Sequence, residues 1–164
     1  MDELLNAIAN SPVGLFMAEN GTAFPLVETA HVIAVVTVVG VIAIVDLRLL
    51  GLASLSYSVS RLTKALLPVT WIAFALAVMT GLLLFSSQPA TYYANFAFRM
   101  KMALLLTAGF NMVLFHIFTM RGIALWDRDA PVPPAARAAG LLSLVTWVLV
   151  VGFARWIGFT MAPF

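Results

Sequence analysis

FPLVETAHVIAVVTVVGVIAIV, running from Phe24 to Val45, is the stretch that decides the fold. It is apolar on every side of a helix, Glu28 and His31 are its only ionisable residues, and Asp46 and Arg48 close it. A helix of this length matches a hydrocarbon layer of about 30 Å. Three further runs repeat the pattern. Pro68 to Phe85 is closed by Ser86, Ser87, Gln88 and Pro89. Met102 to Met120 is entered past Arg99 and Lys101 and left at Arg121, and Ala138 to Phe159 follows the breaker Pro131, Pro133, Pro134. With 63% of its 164 residues hydrophobic and 10% charged, the chain carries more apolar surface than one small soluble core can hide.

The reading is an all-α, integral membrane four-helix bundle running up, down, up and down. The single domain covers 1–164, with spans at about 24–46, 66–86, 98–120 and 137–160. A β-barrel is not expected, because its strands would alternate apolar and polar residues and these runs do not. The first residues are acidic (Asp2, Glu3) and Leu4 to Met17 is interrupted at Asn10, Ser11 and Pro12, so no secretory signal is expected. Leu4, Leu5 and Ile8 share one helical face, which predicts a short interfacial segment ahead of the first span. The absence of cysteine excludes disulfides, iron–sulfur clusters, thiolate zinc and covalently attached haem.

Arginine and lysine give the orientation. The connections after the first and third spans carry Arg48, Arg61, Lys64, Arg121, Arg128 and Arg137, against Arg99, Lys101 and Arg155 on the other side. The bias predicts both termini in the periplasm for a protein of the bacterial inner membrane. The formal charge of +2 sits at membrane edges, which gives no case for nucleic acid; the lipid bilayer is the expected partner.

An ionisable group inside a span costs about 2.5–3.5 kcal/mol on insertion scales, so each one needs a reason. Glu28 and His31 lie three apart, on one face. Lys101 and Arg155 reach a similar depth in the outer half of the third and fourth spans. Turned inward, these four form a cluster with excess positive charge, suited to an anionic group. His31 is the metal or cofactor ligand of that site, with Glu28, Lys101 and Arg155 around it. Turned outward, Lys101 and Arg155 snorkel to the headgroups and Glu28 pairs structurally. The inner half holds His116, Asn111, Asp46 and Arg48, with an Asp46–Arg48 or Asp46–Arg121 pair expected as a clamp.

His31 begins its span and His116 ends a span of the same direction, which separates the two in depth by roughly 15 Å. They cannot share one haem iron. A haem b held by His31 would need a methionine such as Met102 or Met161, a second copy of His31, or a five-coordinate iron. A di-iron site lacks the carboxylates such bundles use. No Ser–His–Asp set at one depth and no glycine-rich phosphate loop exists, so whether the chain is an enzyme stays open.

The stretches Phe24–Val32, Asp46–Gly51, Thr80–Phe85 and Asn95–Lys101, continuing to Asn111 and His116, resemble a family of uncharacterised bacterial four-span inner-membrane proteins, a domain of unknown function. The resemblance covers about Pro12 to His116 and implies an inner-membrane setting without an assigned activity. In layout the chain is also similar to small four-helix membrane b-type cytochromes, from which it departs by lacking paired histidines. Three functions follow as alternatives. The first is haem- or metal-dependent electron transfer in the outer half. The second is a non-enzymatic subunit that forms a homo-oligomer or holds a partner membrane subunit. The third is proton or ion conduction along Glu28, His31, Asn111 and His116.

Overall fold

The computed structural model describes residues 1–127 and 131–161; Arg128, counted above among the loop cations, lies outside them. Two short helices, α1 (Asp2–Ala9) and α2 (Pro12–Glu19), precede the long α3 (Ala23–Leu50) and α4 (Val59–Ser87). A short α5 (Pro89–Ala94) leads into α6 (Phe96–Leu114). From there the chain winds through a π-helical turn at Phe115–Thr119 and a 3-10 turn at Met120–Leu125. The last helix, α7, spans Pro134–Met161. Four of these helical stretches are long and apolar enough to cross a membrane. The protein is a multi-pass membrane protein built as an all-α four-helix bundle.

Local chemistry sets the helix boundaries. Gly51 takes the left-handed conformation (φ 77°) that terminates α3, and its N–H returns to the Arg48 carbonyl. Ser58 caps α4, its hydroxyl accepting from the Arg61 N–H. Ser11 does the same for α2 from Gly14. Pro68 leaves α4 continuous, so the second span starts further back, at Val59, than its apolar run suggests.

The bundle has two ends. At the terminal end Asn95 donates to Thr160, joining the start of α6 to the end of α7. At the opposite, loop end, Leu49, Val59, Phe115, Trp126 and Ala136 make one buried cluster. A second cluster in mid-bundle joins Val38, Ala73, Ala108, Trp147 and Val150. Around the bundle, α3 packs on α4 and on α7, and α7 packs on α6. Gly140 permits the α3–α7 crossing, since a Cβ there would stand 3.0 Å from Leu49 Cβ and 3.3 Å from the Asp46 carbonyl. By contrast, α4 and α6 meet through Phe85 stacked on Phe98 at the terminal end and leave a cavity between them in the loop-end half. The bundle is therefore open along one side.

The N-terminal segment is docked, and it contains two helices where one was expected. α2 lies against α4 and α1 against α5. Leu5 and Met17 are buried, whereas Leu4 points outward. Gly14 closes the joint: a Cβ there would collide with the Ile8 and Ala9 carbonyls and with that of Ser86.

Candidate functional site

At the terminal end, His31 on α3 meets Thr80 on α4, Nδ1 to Oγ1 at 3.0 Å. The Thr80 hydroxyl also lies 2.6 Å from the Leu76 carbonyl, which can only accept, so its single hydrogen goes there. Thr80 Oγ1 therefore accepts from His31 Nδ1–H, and the lone pair of the neutral ring sits on Nε2. This tautomer follows from the partners. Gly81 makes the room, because a Cβ there would come within 3.1 Å of the imidazole.

The four residues expected around an anionic ligand are only partly gathered. Lys101 stands within electrostatic reach of the His31 ring, and its ammonium sits 5.1 Å from the centre of the Phe98 ring. Phe98 belongs to an aromatic trio with Phe85 and Tyr92. Glu28 is exposed and acts on Tyr92, whose phenol is pushed up first by burial and then by that carboxylate. Arg155 is exposed too, with its guanidinium 4.6 Å over the Phe159 ring. It takes the outward arrangement.

At the loop end, the expected Asp46–Arg48 pair does not form. Residues two apart on a helix point to different sides. Arg48, although buried, donates through Nε to the Tyr57 carbonyl at 2.8 Å and through a terminal nitrogen to the Asp127 carbonyl at 3.3 Å. Asp127 in turn binds the start of α4: its carboxylate accepts from the Ser60 N–H at 2.8 Å and from the Ser60 hydroxyl. Desolvation works against the charged form of Asp127. The Ser60 hydroxyl and N–H, with the Arg48 charge, outweigh it and hold the carboxyl below its usual range. This clasp joins the two loop-end connections to α3 and α4.

Asp46 faces the other way. Its side chain lines a cavity of about 250 Å³ enclosed by α3, α4, α6 and α7 in the loop-end half. Asp46 is only 5% exposed, and its Oδ2 is buried without a hydrogen-bond partner; so is Thr63 Oγ1 on the same wall. Ser143 on α7 faces the carboxyl group. Leaving one buried acceptor unmet costs about 1–3 kcal/mol, more when it is charged. Elsewhere in the bundle buried hydroxyls are satisfied locally, as Ser86 and Ser87 are by the Leu83 and Leu84 carbonyls. The free valences are concentrated here.

The rest of the lining is mostly apolar, including Val38, Ile42, Phe74 and Trp147. Asn111 crosses to α7, its Nδ2 donating to the Ala139 carbonyl at 3.0 Å. His116 stands at the mouth in the π-helical turn, its Nδ1 2.9 Å from the Met112 carbonyl. A second hollow between α4 and the end of α6, lined by Leu67, Trp71, Met112, Val113, His116 and Ile117, shares four of these residues with the cavity. Gly109 borders the cavity, and a Cβ there meets nothing within 4 Å.

Thr63 and Ser143 are the members of this site that sequence reasoning passed over. The available signal was depth: Asp46, Asn111, Ser143 and the small Gly109 fall in the same half of three different spans. Comparison with family models, curated proteins and solved structures returns no match, so the functional reading rests on this geometry. The class that the fold and site define is a four-span membrane protein with an internal cavity open between two helices. Among the described residues, no group of three or more His, Asp or Glu side chains gathers as a metal site.

Proposed function

We propose that this membrane protein binds a small lipid-soluble molecule, which enters from the bilayer between α4 and α6 and lodges with its polar end at Asp46. The observation that carries the reading is the unpartnered, buried Asp46 oxygen on the wall of a largely apolar cavity. Such pockets, with an apolar body and a few convergent polar groups, are the usual form of small-molecule sites. The setting would be the bacterial inner membrane with the terminal end outward, in keeping with Arg61, Lys64, Arg121 and Arg137 at the loop end. Gly109→Phe tests the reading, because it fills the cavity without displacing backbone. Wild-type protein in nanodiscs should retain a copurifying small molecule, seen by native mass spectrometry, that Gly109→Phe lacks. Identical spectra from both would contradict it.

A second reading keeps His31 as the ligand of a haem or other metal in the outer half. What favours it is the free Nε2, with the ring held through Nδ1 as metal-binding histidines commonly are. The fit extends to that one nitrogen. The cavity borders His116 rather than His31, so further ligands would have to come from a methionine or a second copy of the chain. An absorption spectrum of the purified protein decides it. A Soret band lost in His31→Ala and kept in His116→Ala supports this site, and a colourless, metal-free protein removes it.

A further inference from the structure

The polar end of the cavity carries one acidic side chain, Asp46, with hydroxyls and an amide beside it. Asp46 Oδ2 and Thr63 Oγ1 have no partner. The Met112 carbonyl can only accept, so His116 Nδ1 carries a proton and donates to it. Asn111 uses one amide N–H on the Ala139 carbonyl, which leaves its oxygen and its second N–H. Among the described residues, no lysine or arginine lines the cavity. A ligand ending in a carboxylate or phosphate would therefore set negative charge against Asp46 with nothing to balance it. A ketone or ester would bring another acceptor and leave Asp46 unmet.

Resting on the cavity reading above, we infer that the ligand is a lipophilic amine bound in its protonated form, the ammonium on Asp46 and the apolar body among Trp71, Phe74 and Trp147. An ammonium supplies the positive charge that this lining lacks and donates to the free Asp46 oxygen. The aromatic walls add to the match: Trp71 and Phe74 stand edge to face at 6.1 Å, and both border the cavity with Trp147. An amine with an apolar body partitions into the bilayer, which is where the opening between α4 and α6 leads. An alcohol of the same shape offers one donor and no charge.

The test uses an ω-bromoalkylamine, with the alcohol and the carboxylic acid of the same chain length, on the full chain in nanodiscs. Bromine quenches tryptophan on contact, and Gly109→Phe measured in the same bilayer supplies the background for each probe. The amine should quench at a concentration about tenfold lower than the alcohol, the difference between a charge-assisted and a neutral hydrogen bond. Asp46→Asn should erase that gap while the alcohol still quenches, and Asp46→Glu should restore it. Equal quenching by amine and alcohol in the wild type overturns the amine assignment and leaves the cavity reading standing. Quenching by all three probes that Gly109→Phe does not reduce overturns the cavity reading itself.

Discussion

Asp127 and Ser60 are held together by two hydrogen bonds, from the Ser60 N–H and hydroxyl to the two carboxylate oxygens, across 67 positions of sequence. The connection between α6 and α7 thereby caps the start of α4. Arg48 from α3 secures the same loop through the Asp127 carbonyl. Two spans and the α6–α7 connection meet at this point, which makes it the anchor of the loop end.

Asp127→Ala should cost about 1 kcal/mol, the usual loss for a helix cap. It also carries a pH signature. Folding lowers the Asp127 pKa, so the folded protein takes up that proton less readily than the unfolded chain. The stabilisation is complete above about pH 4, the ordinary aspartate value, and is lost as pH falls through the depressed folded value. Thermal unfolding in detergent between neutral and acid pH checks this. The gap between wild type and Asp127→Ala should be constant at the neutral end and shrink on the acid side.

Gly140 and Gly109 should respond in opposite ways to enlargement. At Gly140 a methyl presses on Leu49 and the Asp46 carbonyl, so Gly140→Ala should destabilise by about 1–3 kcal/mol as α3 and α7 move apart. At Gly109 the added carbon meets open space, and Gly109→Ala should leave the unfolding temperature unchanged. Gly14→Ala belongs with the first. It should release α1 and α2 from α4, read as faster proteolysis of the N-terminal segment.

Thr80→Val removes the acceptor for His31 Nδ1 while keeping the shape of the side chain. An unpaired N–H in the half-buried ring should cost about 1–3 kcal/mol, whereas Thr80→Ser should stay near wild type. A His31→Phe, Thr80→Val double variant should recover part of the loss, because neither polar partner then remains. Unfolding midpoints of the four proteins give the coupling directly.

The orientation proposed from the arginine and lysine bias is open to labelling, since the chain contains no cysteine. Gln88 at the terminal end and Leu52 at the loop end are both exposed. With the terminal end outward, Gln88→Cys should react with a membrane-impermeant maleimide in intact cells, and Leu52→Cys only after lysis. The reverse pattern would invert the topology.

The four spans were legible because a bilayer leaves a long apolar segment few other structures to adopt. Depth was legible too, as it follows from counting residues along a span. Azimuth was not. Glu28, His31, Lys101 and Arg155 share a depth, yet Arg155 turns out to Phe159 while His31 turns in to Thr80. These runs are apolar on every side, so no polar face marks which way each helix looks. The same blindness hid the cavity, which lies where α4 and α6 stand apart toward the loop end, a property of helix arrangement rather than of any one span. The small residues were visible, but their roles divided: Gly140 brings helices together, Gly81 admits an imidazole and Gly109 lines empty space.

A structure of the protein in lipid nanodiscs tests the central claim most directly. The account predicts elongated density between α4 and α6, its apolar length beside Trp147 and its end within hydrogen-bond distance of Asp46. Contradiction would be α4 packed against α6 with the gap closed and the Asp46 carboxyl paired to a protein side chain.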